Sequence, residues 1–542
     1  MKTRSAPLII HGRWLAVLTL YALLLGIIAR LFPLADIQHR LFWQYMTEDG
    51  YLLQTVARNL ANGLGMTVSD GTIVTNGFQP LFAFLSAGLF MLAHGSKTTG
   101  IVLVTLVSLL IALASAWLVQ RITRRVYREL ALPVSLSWLA AALWFVAPHI
   151  IRHSMNGLET GLYWLMMLFA VDNWMRMTTP GSSRLGLMQQ LWLGILLGLV
   201  FLARNDAVFF IAALLLTHLL LHPAAFTLRQ RLADVLIAGA TSIMVASPWL
   251  INNVRLFGSI VPISGKAESY GAHFGNNLAH IPATILDSSL LYLPVPSRME
   301  GSLITAVLAL AVLAGMASGI RKLSHPERPA TRQIMLLTAI LLLEMTAYYG
   351  LMFGASHFLQ RYFSILTPLL WMLTFGWIAS LSQLSPNRQQ QFVVTLSLAA
   401  ILIASGFAWR DWQRGYALGT AQEHENVVRW VTANVPDSVW VGAIQSGTLG
   451  YFHDRTINLD GKVNAAALMA KIQHGDVLDY AIHSPIEYIA DWSSNGFAAW
   501  TDPARHPAFA RQFRVIYRND PANVMVMQRI TSARQSPGHV PD

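Results

Sequence analysis

The sequence predicts a polytopic α-helical membrane protein with a C-terminal α/β domain, and three observations predict this fold class. Apolar residues make up 54% of the 542 residues and charged residues only 12%, against about a quarter charged in soluble domains. Apolar runs recur from Trp14 to Trp409, each close to the roughly 20 residues that cross a bilayer as a helix. From Arg410 onward, charged residues, Gly, Pro and His rise and no spanning run occurs. We therefore expect a transmembrane domain over residues 1–409 and a soluble α/β domain over residues 410–542.

About 11 transmembrane helices account for the apolar runs. The apolar segment Phe78–Ala93 is not counted, because it is short and because a span there would move the cluster Arg121 to Arg128 outside. We expect it to be a helix at the external surface, as membrane proteins allow where protein covers it. The predicted spans are residues 13–32, 99–120, 133–151, 161–176, 187–203, 207–222, 234–252, 302–320, 333–353, 363–383 and 390–408.

The distribution of cations predicts the orientation. With a cytoplasmic N-terminus, Lys and Arg concentrate in the cytoplasmic segments, as the positive-inside rule requires. The loop after the first span and the soluble domain then lie outside. The same rule accounts for the net charge of +11, so we do not expect a nucleic-acid partner. The first apolar segment is long and lacks a small-residue cleavage site, which favours a retained helix over a removed signal peptide.

The chain has no cysteine, which excludes disulfides, thiolate metal sites and a cysteine nucleophile. No HExxH motif or histidine cluster indicates a zinc site. A divalent cation held by carboxylate oxygens of Asp49 and Glu159 is left open.

Acids, amides and cations gather in the segments predicted to be external. One such residue at a helix end is usually a cap or an interfacial anchor, but the recurrence of both charge signs on one face favours a polar site. Residues of this set are Glu48, Asp49 and Arg58, then Asn156 and Glu159, then Arg204 and Asp206, then Arg255 and Lys266, then His357, Gln360 and Arg361.

The first external loop has the features of a short helix followed by turns. Tyr51, Leu52, Val56 and Leu60 recur at helical spacing after the acidic pair, which predicts an amphipathic helix lying on the membrane. Acids at a helix N-terminus are favourable, so capping alone would explain one of the pair. The turn-forming segments "NGLG", "SDG" and "TNG" then reverse the chain before "FQPLF".

An acidic pair followed by "ARNLANGLG" and "TNGFQPL" resembles bacterial integral-membrane glycosyltransferases of the GT-C fold, which use polyprenyl-phosphate sugar donors. The segments "GLETGL", "NNVRLFGSIVP", "RYF" and "GYFHDRTINLDGKVN" are similar to further elements of that family. The resemblance covers most of the chain, and the order of the motifs makes it specific.

The resemblance implies a catalytic carboxylate in the first external loop, a second acid in the next, and cations for the lipid phosphate. Many relatives have Asp-Asp where this chain has Glu48 and Asp49, and we favour Asp49 as the base because it keeps the shared residue type. The resemblance implies Glu159 as the second acid and Arg361, Arg255 or Lys266 as the cations that hold the lipid phosphate. Further candidates for donor phosphate and sugar, taken from the external polar set, are Arg58, His357 and Arg204. Loop and acceptor candidates are Asn76, Gln79, Tyr451, Asp460 and Lys462.

The expected function is inverting transfer of a sugar from a polyprenyl-phosphate donor to a glycan or lipid-linked acceptor, at the periplasmic face of a bacterial inner membrane. A departing phosphate needs no general acid, so one base and a cationic clamp suffice. One alternative is a lipid or glycan transporter or flippase, which would place ionisable residues near the midplane; Glu344 is the main candidate there. Another is a glycan ligase that uses a lipid-diphosphate donor.

Residues after Arg410 show the pattern of a small α/β domain. We expect the tail "SARQSPGHVPD" to be disordered. The predicted elements are a helix over 422–434, strands over 439–444 and 455–459, turns at "SGTLG", a helix over 463–473, and strands over 486–490, 513–517 and 523–529.

Overall fold

A computed structural model describes residues 7–178, 185–221, 227–323, 328–381, 386–417, 423–502 and 506–530. The chain is mostly helical up to Arg414. The predicted tail lies outside the described residues. The helices of this part are α1 (Pro7–Leu31), α2 (Glu48–Ala61), α3 (Pro80–Leu92), α4 (Lys97–Glu129), α5 (Ser135–Val146), α6 (Pro148–Met155), α7 (Thr160–Met177), α8 (Leu187–Ala203), α9 (Ala207–Leu220), α10 (Leu228–Phe257), α11 (Ile263–Ser269), α12 (Ile281–Ser289), α13 (Leu303–Leu323), α14 (Pro329–Met345), α15 (Leu359–Phe363), α16 (Thr367–Leu381) and α17 (Pro386–Arg414).

Long apolar helices make this a multi-pass membrane protein. Among the described residues, 6 helical segments are long and apolar enough to cross a membrane, or 7 if α5 and α6, which meet at a 60° bend, form one span. Every predicted span overlaps a helix, but α8, α9 and the apolar part of α13 are shorter than a full span. The count of about 11 spans therefore stays a prediction.

Aromatic side chains fill the centre of the helical part. Trp144 of α5 and Trp164 of α7 are buried with ring centroids 5.4 Å apart, and Trp174 is buried on the same helix α7. The Trp164 indole donates a hydrogen bond to the Ser364 carbonyl at 2.8 Å. This contact holds the segment before α16 against α7, so the residues just before it have a fixed place.

Helix α2 forms where the sequence predicts it, but its surroundings differ from the prediction. The N-cap is Thr47, whose Oγ1 accepts from Gly50 N at 3.2 Å, so Glu48 and Asp49 are helical residues of the first turn rather than the cap. Residues 50–57 are all buried, because the C-terminal domain covers the side that an interfacial helix would expose to water. The turns that follow form a hairpin of β1 (Thr67–Val68) and β2 (Ile73–Val74).

The C-terminal domain is a five-stranded mixed sheet with helices, in the strand order β4-β3-β5-β7-β6. Strand β3 pairs in parallel with β4 and β5, whereas β7 pairs antiparallel with β5 and β6. The strands are β3 (Val441–Ala443), β4 (Thr456–Asn458), β5 (Tyr488–Asp491), β6 (Phe513–Asn519) and β7 (Val524–Arg529). The helices are α18 (Glu423–Asn434), α19 (Ser446–Phe452), α20 (Ala465–His474), α21 (Leu478–His483), α22 (Phe497–Trp500) and α23 (Pro507–Gln512).

One element of this domain was predicted wrongly. The segment "SGTLG" forms the start of α19 rather than turns. Its two glycines favour a turn in isolation, but Gly447 packs directly on the backbone of Glu48, where a Cβ would overlap the Glu48 carbonyl oxygen. The contact with α2 explains why glycine stands in a helix at this position.

Candidate active site

A cavity of about 440 Å³ lies between the first turn of α2, the loops that follow α8 and α10, the segment around α15, and the C-terminal domain. Much of its wall is apolar. Its charged residues come from six separate segments of the chain. The apolar wall includes Leu52, Leu53, Phe78, Phe201, Phe209 and Leu250, and the charged residues are Asp49, Glu159, Arg204, Asp206, Glu268, Arg361 and Lys462.

Asp49 lies next to two cations in this cavity. Its Oδ2 accepts a hydrogen bond from Arg361 Nη1 at 3.0 Å, and its Oδ1 lies 3.6 Å from Lys462 Nζ. Burial alone would raise the pKa of Asp49, but the charges of Lys462, Arg361 and His357 outweigh it and hold the pKa below its ordinary value. The carboxylate is therefore ionised at neutral pH and can accept a proton.

Two arginines share the buried carboxylate of Glu159. Arg361 Nη2 donates to Glu159 Oε1 at 3.0 Å, and Arg204 Nε lies 3.8 Å from the same oxygen. Arg204 also pairs with Asp206 Oδ1 at 3.0 Å, and Asp206 Oδ2 accepts from Tyr349 Oη at 2.8 Å. Glu159 is 0% exposed, so it fixes both guanidinium groups at one end of the cavity.

Lys462 brings the C-terminal domain into the cavity. Its Nζ lies 2.8 Å from Glu268 Oε1 and 3.9 Å from Asp460 Oδ2. Burial disfavours the ammonium form, but the charges of Asp49, Glu268 and Asp460 raise the pKa of Lys462. Gly77 packs on the backbone of Lys462 so closely that a Cβ there would overlap the Lys462 carbonyl oxygen. The loop after β2 thus fixes the place of this lysine.

Glu48 does not line the cavity. Its carboxylate accepts hydrogen bonds from the backbone N–H groups of Gly447 and Thr448, and from Thr448 Oγ1 at 2.9 Å. His424 Nδ1 lies 3.3 Å away. Burial raises the pKa of Glu48 despite these donors. Glu48 therefore joins α2 to α19, and the geometry leaves Asp49 as the carboxylate that faces the cavity.

Several other predicted site residues support the architecture rather than line the cavity. Arg58 Nη1 pairs with Asp454 at 3.1 Å. Tyr451 Oη donates to the Lys97 carbonyl at 2.7 Å. Both contacts hold the C-terminal domain on the membrane part. Asn76 accepts from Ile263 N at 3.0 Å and fixes the start of α11.

Of the remaining predicted site residues, some line the cavity and others lie outside it. Gln79 lines the cavity and accepts from Asn205 N at 3.0 Å. His357 is exposed, and its ring centroid lies 4.1 Å from that of Phe358. Arg255 and Lys266 are exposed and lie outside the cavity lining. On these two helices, Leu250, Gly265 and Glu268 face the cavity instead.

Glu268 is the cavity acid that sequence reasoning missed. It lies two residues beyond the cation Lys266, and its carboxylate faces the cavity where Lys266 faces solvent. The available signal was an acid within a helical turn of a predicted cation. Within the described residues, no group of three or more acids and histidines is placed to hold a metal ion, and a divalent cation stays a hypothesis.

Comparisons with known proteins identify the fold. Residues 411–533 match a family model described as a domain of unknown function (DUF8728). No curated protein matches the chain. The apo oligosaccharyltransferase of Archaeoglobus fulgidus aligns over 92% of this chain and 71% of its own at 13% identity, with a TM-score of 0.58. The oligosaccharyltransferase AglB of the same organism, in complex with an inhibitory peptide and a dolichol-phosphate, aligns over 97% and 75% at 13% identity and 0.55.

ArnT from Cupriavidus metallidurans bound to undecaprenyl phosphate is similar over 96% of this chain and 98% of its own, at 12% identity and a TM-score of 0.58. At such identities the likeness establishes the fold. The GT-C fold expected from the ordered sequence motifs is confirmed.

Proposed function

We propose, on the premise of the GT-C fold, that this protein is an inverting glycosyltransferase that moves a sugar from a polyprenyl-phosphate donor to a hydroxyl of a glycan or lipid-linked acceptor. The observation that carries the proposal is the position of Asp49. It is an ionised carboxylate that faces Arg361 and Lys462 in a cavity with largely apolar walls. A base, a cationic clamp and a lipid-compatible wall are the three parts that this reaction needs.

The donor fits the two sides of the cavity. Apolar side chains such as Phe201 and Phe209 suit an isoprenoid chain, and the guanidinium groups of Arg361 and Arg204 suit its phosphate. Two of the similar structures hold undecaprenyl phosphate or a dolichol-phosphate. We therefore assign the phosphate to the arginine end of the cavity, where it takes the place of Asp49 at Arg361, and the sugar to the part of the cavity beside Asp49.

The residues supply the chemistry of a direct displacement. Asp49 takes the proton of the acceptor hydroxyl as its oxygen bonds to the anomeric carbon, a contribution of about 100- to 10,000-fold. The bond from that carbon to the phosphate oxygen breaks, and Arg361 stabilises the departing phosphate. One displacement at one carbon gives inversion. Glycosidases that expel an alkoxide need a second carboxyl as acid, and here that position is taken by cations.

Donor binding also changes the base. When no sugar donor is bound, the guanidinium of Arg361 donates one hydrogen bond to Asp49 and one to Glu159. The singly charged phosphodiester of the sugar donor accepts hydrogen bonds from Arg361 in place of Asp49, and it neutralises part of the charge that holds the pKa of Asp49 down. Asp49 thus becomes a stronger base when the donor is present.

We place this reaction at the external face of a bacterial inner membrane, with the N-terminus in the cytoplasm and the C-terminal domain in the periplasm. The positive-inside distribution of Lys and Arg supports this orientation. The lipid tail stays in hydrocarbon while the phosphate and sugar lie at the interface, which is the depth at which an external domain could contact them.

A second candidate is transfer of a whole glycan from a lipid diphosphate. Arg204 favours it, because this buried side chain gives the cavity a second guanidinium whose Nη2 has no hydrogen-bond partner among the described residues. Two adjacent phosphates would use both arginines.

Mass analysis of the reaction products separates the two candidates. The purified full chain is incubated with a polyprenyl-phosphate sugar and with cell-envelope glycolipids. The proposal predicts release of polyprenyl phosphate and a gain of one sugar mass in an acceptor, both lost in Asp49→Asn. Asp36→Asn is the matched control, since Asp36 is exposed and pairs with His39 outside the cavity. Transfer that needs a diphosphate donor, or transfer that Asp49→Asn leaves intact, would overturn the proposal.

A further inference from the structure

A second, smaller cavity of about 170 Å³ lies beside the first, against the C-terminal domain. Glu268 and Lys462 line both cavities, and their side chains form an ion pair of 2.8 Å. The pair is therefore a partition between the two spaces. The second cavity is far larger than the roughly 10–15 Å³ that one water needs, so it has room for a small polar ligand.

The two cavities differ in chemical character. Leucine and phenylalanine side chains dominate the wall of the first. The second has four charged residues among the few that line it, and three of them, Asp460, Lys462 and Lys471, belong to the C-terminal domain. An isoprenoid chain gains nothing from such a wall, because burying charged groups against it is costly. A hydroxyl-rich molecule can replace the hydrogen bonds that these groups make.

The charges of the second cavity are balanced. Two acids, Glu268 and Asp460, oppose two lysines. Asp460 is buried, with Oδ1 accepting from Lys462 N at 2.7 Å. A phosphate or a uronic acid would meet both carboxylates, whereas a neutral sugar can donate its hydroxyls to the acids and accept from the lysines. The field of the cavity therefore favours a neutral polyol.

An aromatic ring completes the recognition chemistry. Tyr270 lines the cavity, and its ring centroid lies 5.3 Å from Lys471 Nζ. Its Oη donates to the Lys471 carbonyl at 3.2 Å, which fixes the ring on α20. The apolar face of a sugar ring can pack on such an aromatic surface while its hydroxyls reach the charged groups at the edge.

We propose that the second cavity is the acceptor subsite and that it takes a neutral sugar of a glycan acceptor. This inference rests on the proposed function. The attacking hydroxyl takes the place of Glu268 at the Lys462 ammonium as this ion pair opens, and from there it meets Asp49, which lies on the other side of Lys462. The oxygen of that hydroxyl bonds to the anomeric carbon, its proton passes to Asp49, and the electron pair of the broken bond leaves with the phosphate.

The test measures two kinds of binding to the purified full chain. One probe is undecaprenyl phosphate, which reports the donor side. The other is an array of neutral oligosaccharides with phosphorylated and uronate-containing counterparts, which reports the acceptor side. The variants are Tyr270→Ala, Asp460→Asn and, as control, Lys266→Ala, whose side chain is exposed on α11 and lines neither cavity.

We expect neutral glycans to bind, and each of the two cavity variants to weaken that binding about tenfold, the effect of losing one hydrogen bond to a charged group or one stacked ring. Undecaprenyl phosphate should bind all variants as it binds the unmodified chain. Exclusive binding of anionic glycans, absence of glycan binding, or glycan binding unchanged in both cavity variants would overturn the acceptor subsite. If the unmodified chain does not bind undecaprenyl phosphate, the donor assignment is overturned instead.

Discussion

The ammonium group of Lys462 lies 3.6 Å from Oδ1 of Asp49, so a residue of the C-terminal domain completes the charge environment of the proposed base. The pair brings a residue of the membrane part and a residue of the C-terminal domain together in one cavity. Domain docking and catalysis are therefore coupled, and changes on either side of this contact have distinct consequences.

Lys462→Met should shift the acid limb of the pH profile to higher pH. Lys462 is the strongest of the charges that lower the pKa of Asp49. Without it that pKa rises, so Asp49 becomes protonated, and activity falls, at a higher pH than in the unmodified enzyme. We also expect kcat/KM at neutral pH to fall about tenfold to hundredfold, because Glu268 and Asp460 lose the cation that they share in the cavity. The measurement is kcat/KM for transfer from pH 4 to 8, with Lys266→Met as control. An acid limb that does not move would show that Lys462 does not act on the base.

Arg361→Gln should weaken donor binding, whereas Arg255→Gln should not. The motifs implied both arginines for the lipid phosphate, but only Arg361 lines the cavity, and Arg255 is exposed. Loss of one charge-assisted contact to phosphate predicts about tenfold to hundredfold weaker binding of undecaprenyl phosphate. Equal effects of the two substitutions would place the phosphate outside this cavity.

Gly77→Ala should reduce the rate of sugar transfer, although glycine has no side chain that could take part in the reaction. The added Cβ overlaps the carbonyl oxygen of Lys462, so the backbone at Gly77 or at Lys462 must shift, and the contact that fixes this lysine beside Asp49 is lost. Gly88→Ala on α3 is the matched control, because nothing lies within 4 Å of a Cβ there and alanine favours a helix. Transfer rate and melting temperature are measured for both. Full activity of Gly77→Ala would contradict a fixed position for Lys462.

Substitutions of the adjacent acids should separate stability from turnover. Glu48→Ala leaves the N–H groups of Gly447 and Thr448 without their acceptor, which predicts a loss of about 1–3 kcal/mol in the free energy of unfolding. The folded fraction should still transfer sugar. Asp49→Asn should keep the melting temperature to within a few degrees and lower turnover about 100- to 10,000-fold. A larger loss of turnover in Glu48→Ala, per folded molecule, would reverse the two roles.

Sequence periodicity predicted the helical membrane part, helix α2 and the strands of the C-terminal domain, because apolar spacing records which faces are buried. It did not predict what covers α2. The contact of Gly447 with Glu48 joins residues remote in sequence, so no local pattern shows that the helix is buried or that "SGTLG" is helical. The sequence predicted Asp49, Glu159, Arg204, Arg361 and Lys462 as site residues, and all five line the cavity.

Local pattern could not distinguish cations that face inward from those that face outward. Lys266 and Glu268 lie on one short helix, and which of them points into the cavity depends on how α11 packs against the C-terminal domain. The prediction for Arg255, near the end of α10, was wrong for the same reason: its side chain faces outward. Whether such a residue faces the cavity or the solvent depends on the rotation of its helix about the helix axis. Tertiary contacts set that rotation.

The proposed mechanism requires that a lipid phosphate bind at Arg361 and face Asp49. A structure of the full chain with undecaprenyl phosphate tests it most directly. We expect phosphate density within hydrogen-bonding distance of the Arg361 guanidinium, on the cavity side of Glu159, with the isoprenoid chain along the apolar wall. Phosphate density beside Arg255 or Lys266, with the Arg361 to Asp49 hydrogen bond unchanged, would contradict it.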